Sequence, residues 1–271
     1  VAEQGIALVS VILVWWFSTG AILYLGGLPR RTFPWTMVVA TLTLGLAVVA
    51  IATSARELTT ANVYIAFLAA LGVWGWIEVS FLLGFITGPR TAPCPPNARG
   101  WQRFRLATET LIYHELMIAC GAISIAALTW DQPNQTGTLA FLSLTAMRIS
   151  AKLNIFLGVP NLAHEMMPQR LAYLKTYFAK RRFNAFFPVS VALALVAAWI
   201  VGGQAFGEGA EGPAATGALL VFTILALGLL EHFFMILPVQ DSALWRWAMP
   251  APAAASVAAA PADQGRDTRR P

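Results

Sequence analysis

Charge is scarce in this sequence: 11% of its 271 residues are Asp, Glu, Lys or Arg, while 58% are hydrophobic and the mean hydropathy is +0.65. A soluble domain carries about a quarter charged residues, so this composition excludes an ordinary globular domain and implies an integral membrane protein. Cysteine is scarce too. Cys94 and Cys120 form no C-x-x-C pair, which argues against a disulfide framework or a thiolate metal site. Only three histidines occur, each beside a glutamate: His114-Glu115, His164-Glu165 and Glu231-His232. The Glu-x-x-His spacing of di-iron bundle proteins is missing. No aromatic-basic module accompanies the formal charge of +5, so nucleic acid is not an expected partner.

Long apolar runs are what the chain has in plenty. A bilayer core is crossed by about 20 apolar residues in a helix, and seven runs meet that length, near 5–27, 36–54, 62–87, 107–130, 138–158, 186–203 and 215–238. The first is too long, and lacks the basic start, for a cleaved signal peptide, and reads as a retained helix. The expected fold is an all-α polytopic membrane bundle of seven transmembrane helices over residues 1–247, followed by a disordered, Ala/Pro-rich cytoplasmic tail over 248–271. The Pro-rich run Gly88-Pro-Arg-Thr-Ala-Pro-Cys-Pro-Pro96 reads as an extended loop.

Fifteen of the eighteen Lys and Arg fall on one side of this arrangement, among them Arg30, Arg31, Arg90, Arg99, Arg103, Arg105, the run Arg170 to Arg182, and Arg246. The other side holds Arg56 alone, while Arg148 and Lys152 lie within the fifth span. Positive loops stay inside, so the N-terminus is expected in the periplasm and the C-terminus in the cytoplasm. An odd number of spans gives the same opposition. Between the fifth and sixth spans, residues 168–183 alternate apolar and basic side chains at helical spacing and read as an interfacial basic helix against anionic membrane lipid.

Ionisable groups inside spans are costly and usually functional. The stretch Glu109-Thr-Leu-Ile-Tyr-His114-Glu115 holds three. With a rise of 1.5 Å per residue, Glu78, His114, Glu115, Lys152, Glu231 and His232 all come to lie about 9 to 13 Å from the basic end, with Arg148 at about 15 Å and Glu109 and Asn154 nearer the surface. Glu78, Glu109, Glu115 and Glu231 against Arg148 and Lys152 leave two negative charges, to be met by protons or by a cation. Carboxylate with imidazole suits Fe, Mn or Zn, making Glu78, Glu109, His114, Glu115, Glu231 and His232 candidate metal ligands. His114 and His232 are also candidate axial ligands for a tetrapyrrole, in a cofactor pocket shared with Arg148, Lys152 and Asn154. A purely structural network of interhelical hydrogen bonds and ion pairs accounts for the same residues.

Several segments together resemble a known family: Trp74-Gly-Trp-Ile-Glu-Val-Ser-Phe81; Gly100-Trp-Gln-Arg-Phe-Arg105 leading to Tyr113-His-Glu115; Met147-Arg-Ile-Ser-Ala-Lys-Leu-Asn154 with Phe156-Leu-Gly158; Phe183-Asn-Ala-Phe-Phe-Pro-Val-Ser190; and Leu230-Glu-His232 through Leu244-Trp-Arg-Trp247. Over about residues 5–247 the chain is similar to the PuhE-like photosynthetic complex assembly proteins of anoxygenic phototrophic bacteria. That resemblance implies a multi-pass protein of the bacterial inner membrane that works with bacteriochlorophyll photosynthesis and supports biogenesis of the photosynthetic reaction centre and core light-harvesting complex, which would make bacteriochlorophyll the tetrapyrrole. The partners it implies are reaction-centre and core-antenna polypeptides or their pigments. It brings no catalytic assignment. The competing expectation is a metal-dependent membrane oxidoreductase acting on a tetrapyrrole or other apolar substrate through the Glu/His layer.

Overall fold

A computed structural model describes residues 2–162, 166–239 and 241–249, and His164, Glu165 and all but the first two residues of the expected tail fall outside them. The described residues form helices without named strands: α1 (Ala2–Gly27), α2 (Phe33–Ser54), α3 (Thr60–Leu82), α4 (Gly100–Glu109), α5 (Ile112–Leu128), α6 (Thr136–Leu157), α7 (Phe186–Phe206) and α8 (Gly212–Phe234). Six are each long and apolar enough to cross a membrane; α4 and α5, bent by 67°, make a seventh if the pair is one span.

Turn chemistry sets the starts of these helices. Pro34 and Pro213 occupy the first turns of α2 and α8, where a missing N–H costs nothing, and the Thr59 hydroxyl accepts the Asn62 amide at the start of α3. Helices α3 and α8 are the most enclosed. Small residues bring them and their neighbours close: a Cβ on Gly137 would stand 2.9 Å from the Ala66 carbonyl oxygen, and one on Gly217 2.6 Å from the Thr136 hydroxyl. Close approach of this kind is how helices gain contact where lipid supplies no hydrophobic drive.

The fourth expected span, 107–130, is not one continuous helix. It breaks at Thr110 and Leu111 because the 83–99 loop packs into the elbow. Thr87 accepts the His114 amide at 3.1 Å and Arg90 donates to the Glu109 carbonyl at 3.2 Å, so backbone groups freed by the break are met by protein. Gly88 lies against the break itself, its Cβ position 2.2 Å from the Glu109 oxygen.

Where an amphipathic interfacial helix was expected over 168–183, the chain forms a 3-10 helix, Gln169–Tyr177, with Leu171, Leu174 and Tyr177 buried against protein. Leu171 and Leu174 pack on Phe81. Tyr177 accepts from the Arg90 ε-nitrogen at 2.7 Å and donates to the Ala92 carbonyl at 3.1 Å, while Arg103 donates to the Tyr177 and Phe156 carbonyls and lies over the Phe156 ring. Much of the basic sequence therefore builds a cap across one end of the bundle. Arg170 staples it down, donating at 2.6 Å to both Leu82 and Gly26 carbonyls and lying 4.5 Å over the Phe33 ring. A cation at two helix C-termini complements both dipoles.

Candidate functional site

Beneath this cap, α3, α5 and α6 bring five of the expected residues together. Arg148 and Lys152, one turn apart on α6, reach opposite ways. Arg148 meets the Glu78 carboxylate of α3 at 2.8 Å, and Lys152 meets Glu115 of α5. Each acid has its own base, so this inner layer is neutral without any added cation. Glu78 is the more enclosed acid, with 9% of its side chain uncovered.

His114 lies at the centre of the layer, fully buried, its ring 4.3 Å from that of Phe81. The Nε2 atom stands 3.8 Å from the second Glu78 oxygen, too far for a hydrogen bond, and neither ring nitrogen nor that oxygen has a hydrogen-bond partner. Leaving such groups unpaired in a buried place costs about 1–3 kcal/mol apiece. The elbow holds the ring there: His114 is in the first turn of α5, and its amide is tied to Thr87. His114→Phe is accordingly expected to leave insertion intact and raise stability by about 1 kcal/mol, since an aromatic of similar size keeps the Phe81 contact and removes the orphaned nitrogens. Thermal unfolding in detergent checks this, and a lowered midpoint would show that the imidazole makes an attractive interaction with its surroundings.

His232 is different. Its Nδ1 lies 2.8 Å from the Gly228 carbonyl, which only accepts, so that nitrogen carries the proton. Nε2, 2.8 Å from the Ser150 hydroxyl, is then the acceptor. Both nitrogens are in use, and His232 joins α8 to α6 rather than presenting a lone pair to a metal or pigment.

The remaining expected residues are elsewhere. Glu231, next to His232, points out of the layer to accept the Trp15 indole of α1 at 2.8 Å. Glu109 ends α4 and pairs with Arg105 at 3.4 Å on the exposed side. Asn154 donates at 3.0 Å to the Ser150 carbonyl and the Ser190 hydroxyl, linking α6 to α7. The shared depth of these groups does not make them one ligand set, and among the described residues no three His, Cys, Asp or Glu side chains are placed to hold a metal ion. The excess of two negative charges disappears for the same reason, because Glu109 and Glu231 stand outside the layer. Ser150, Trp15 and Ser190 were not among the expected residues. Hydroxyls and indoles carry no charge to mark them within an apolar run, and Ser150 alone had a signal, lying between Arg148 and Lys152.

Helices of spanning length around a buried, ion-paired centre define a multi-pass membrane protein with a polar interior. The chain belongs to the family described as "Protein of unknown function (DUF3623)", whose model matches residues 1–256. It is 39% identical over 245 residues, 89% of each chain, to the "Uncharacterized 30.4 kDa protein in puhA 5'region" of Rhodobacter capsulatus. No solved structure matches it.

Proposed function

We propose that this protein is a PuhE-like assembly factor of the bacterial inner membrane, and that it supports biogenesis of the photosynthetic reaction centre and its core antenna by engaging their membrane helices or pigments. The process is supported by the relative's description, which places it in the 5' region of puhA, a photosynthesis gene, and by the motif resemblance over residues 5–247. In this reading the basic cap faces the cytoplasm, as the positive-inside rule asks.

The observation that carries the mode of action is that two ion-paired basic side chains are left part open at membrane depth. The chain leaves 38% of the Arg148 side chain and 22% of Lys152 open. Lys152, five residues from the end of α6, lies about 8 Å below the helix end, where a long side chain can snorkel; Arg148, at about 14 Å, is too deep to do so fully. Charge facing hydrocarbon is expensive, so a partner that covers the α5–α6 flank with polar or acidic groups gains from docking there. Exposed Tyr113, Leu116 and Ile149 belong to the same two helices and offer apolar contact beside the charges. Pairing of the acids within the chain favours this docking role over the oxidoreductase reading, which asks for ligands that converge.

The test replaces charge without orphaning either partner. Glu115→Gln with Lys152→Gln is expected to leave the protein inserted and folded but to reduce co-purification of core-complex polypeptides from phototrophic membranes several-fold. Undiminished co-purification would overturn the flank as the docking surface. Near-stoichiometric Fe, Mn or Zn in the purified protein, lost on His114→Ala, would instead promote the oxidoreductase.

A further inference from the structure

A groove of about 340 Å³ opens at the basic end between the α1–α2 turn, the end of α3 and the 3-10 helix, and Arg30, Phe33, Thr87, Thr91, Arg170 and Tyr173 line it. Its size is at the lower end for small-ligand sites. No acid is among its lining residues. Arg30 begins the turn between two spans, which puts the groove at the level of lipid headgroups. Its guanidinium has no ion pair or hydrogen bond among the described residues. Arg170 forms one wall, held by its bonds to Leu82 and Gly26. The two cations are near enough that Arg30, after burial itself, pushes the Arg170 pKa below its usual value. Two like charges with no carboxylate between them repel, and an anion bound in the groove would turn that repulsion into attraction. Arginine is suited to such a role because its planar fork matches phosphate oxygens, and Thr91, which also lines the groove, carries a neutral hydroxyl donor.

We propose that this groove binds a phosphate group, through Arg30 and Thr91, against a wall that Arg170 holds in place. Two sources present that chemistry at this level, the headgroup of an anionic phospholipid and free phosphate. Basic pockets between spans at the membrane surface are suited to the first. The site is separate from the α5–α6 flank and does not depend on the assembly role.

Native mass spectrometry of the full chain in detergent, titrated with phosphatidylglycerol, phosphatidylcholine of the same acyl chains, and inorganic phosphate, tests it. Phosphatidylglycerol is expected to be retained in preference to phosphatidylcholine. Arg30→Gln should weaken that binding about five-fold, the equivalent of about 1 kcal/mol for one basic contact near the membrane surface. Thr91→Val should weaken it in the same direction, and Arg31→Gln, whose side chain lies outside the groove, should leave it unchanged. Tighter retention of phosphatidylglycerol than of phosphate identifies the lipid as the source; Arg30-dependent binding of phosphate with no gain from acyl chains identifies the free ion. Equal binding of the two lipids with no Arg30-dependent phosphate binding, or equal losses from Arg30→Gln and Arg31→Gln, would overturn the proposal in favour of diffuse attraction.

Discussion

Arg148→Ala is expected to lower the unfolding free energy by about 3 kcal/mol, because removing one partner of an enclosed ion pair leaves the other charge uncompensated, at a typical cost of about 3–5 kcal/mol. The lower end applies because 38% of the Arg148 side chain is open. Glu78 then has no base within reach, for Lys152 is committed to Glu115 and the His114 ring stands at 3.8 Å. Glu78→Gln with Arg148→Gln should recover most of the loss, since two amides hydrogen-bond across the same gap without a buried charge. Denaturation of the wild type, Glu78→Gln, Arg148→Gln and the double variant in one detergent gives the coupling directly, with Arg148→Ala measured beside them. If Arg148→Ala and the double variant melt alike, the pair is not what holds α3 to α6. If Arg148→Ala melts like the wild type, the carboxylate has been neutralised in some other way.

How the layer was legible, and where it was not, follows from helix geometry. Depth is readable from sequence because every residue adds the same rise, and Glu78, His114, Glu115, Arg148 and Lys152 do share a level. Direction around the helix is not, since it depends on where the neighbours are. Residues adjacent in sequence point about 100° apart, so His232 and Glu231 could not both face inward: His232 turns to Ser150 and Glu231 to Trp15. His114 and Glu115 divide in the same way, toward Phe81 and toward Lys152.

The cap misled for a subtler reason. Leu171, Leu174 and Tyr177 recur at a strict spacing of three, the period of a 3-10 helix, in which residues i and i+3 eclipse; an α-helical stripe would alternate threes and fours. The period was in the sequence. Its basic residues suggested a lipid-facing helix, whereas Arg170 turns inward to cap α1 and α3. Spans were legible by contrast because about 20 apolar residues is a requirement of the bilayer itself.

Nothing in the sequence marks the break between α4 and α5 as a bend, because it falls where the charged α4 meets the apolar run of α5, and a single glycine exposes how it is made. Gly88→Ala is expected to cost about 3 kcal/mol, at the upper end of overpacking effects. The added Cβ would lie 2.2 Å from the Glu109 carbonyl oxygen, 2.6 Å from the Thr110 carbonyl carbon and 2.7 Å from the Leu111 nitrogen. All three are backbone atoms, so no side chain can rotate to relieve the contact and the elbow itself must open. Opening it pulls on the Thr87 carbonyl that holds the His114 amide and on the Arg90 bond to Glu109, so the same change displaces the imidazole from beneath Phe81. Gly45→Ala in α2 is the control: nothing lies within 4 Å of its Cβ, and alanine in a helix interior is favoured over glycine by about 1 kcal/mol. Thermal unfolding should separate the two, with Gly88→Ala well below the wild type and Gly45→Ala at or above it. Equal midpoints would mean that the elbow yields without cost, and that the position of His114 is not set by the loop beneath the cap.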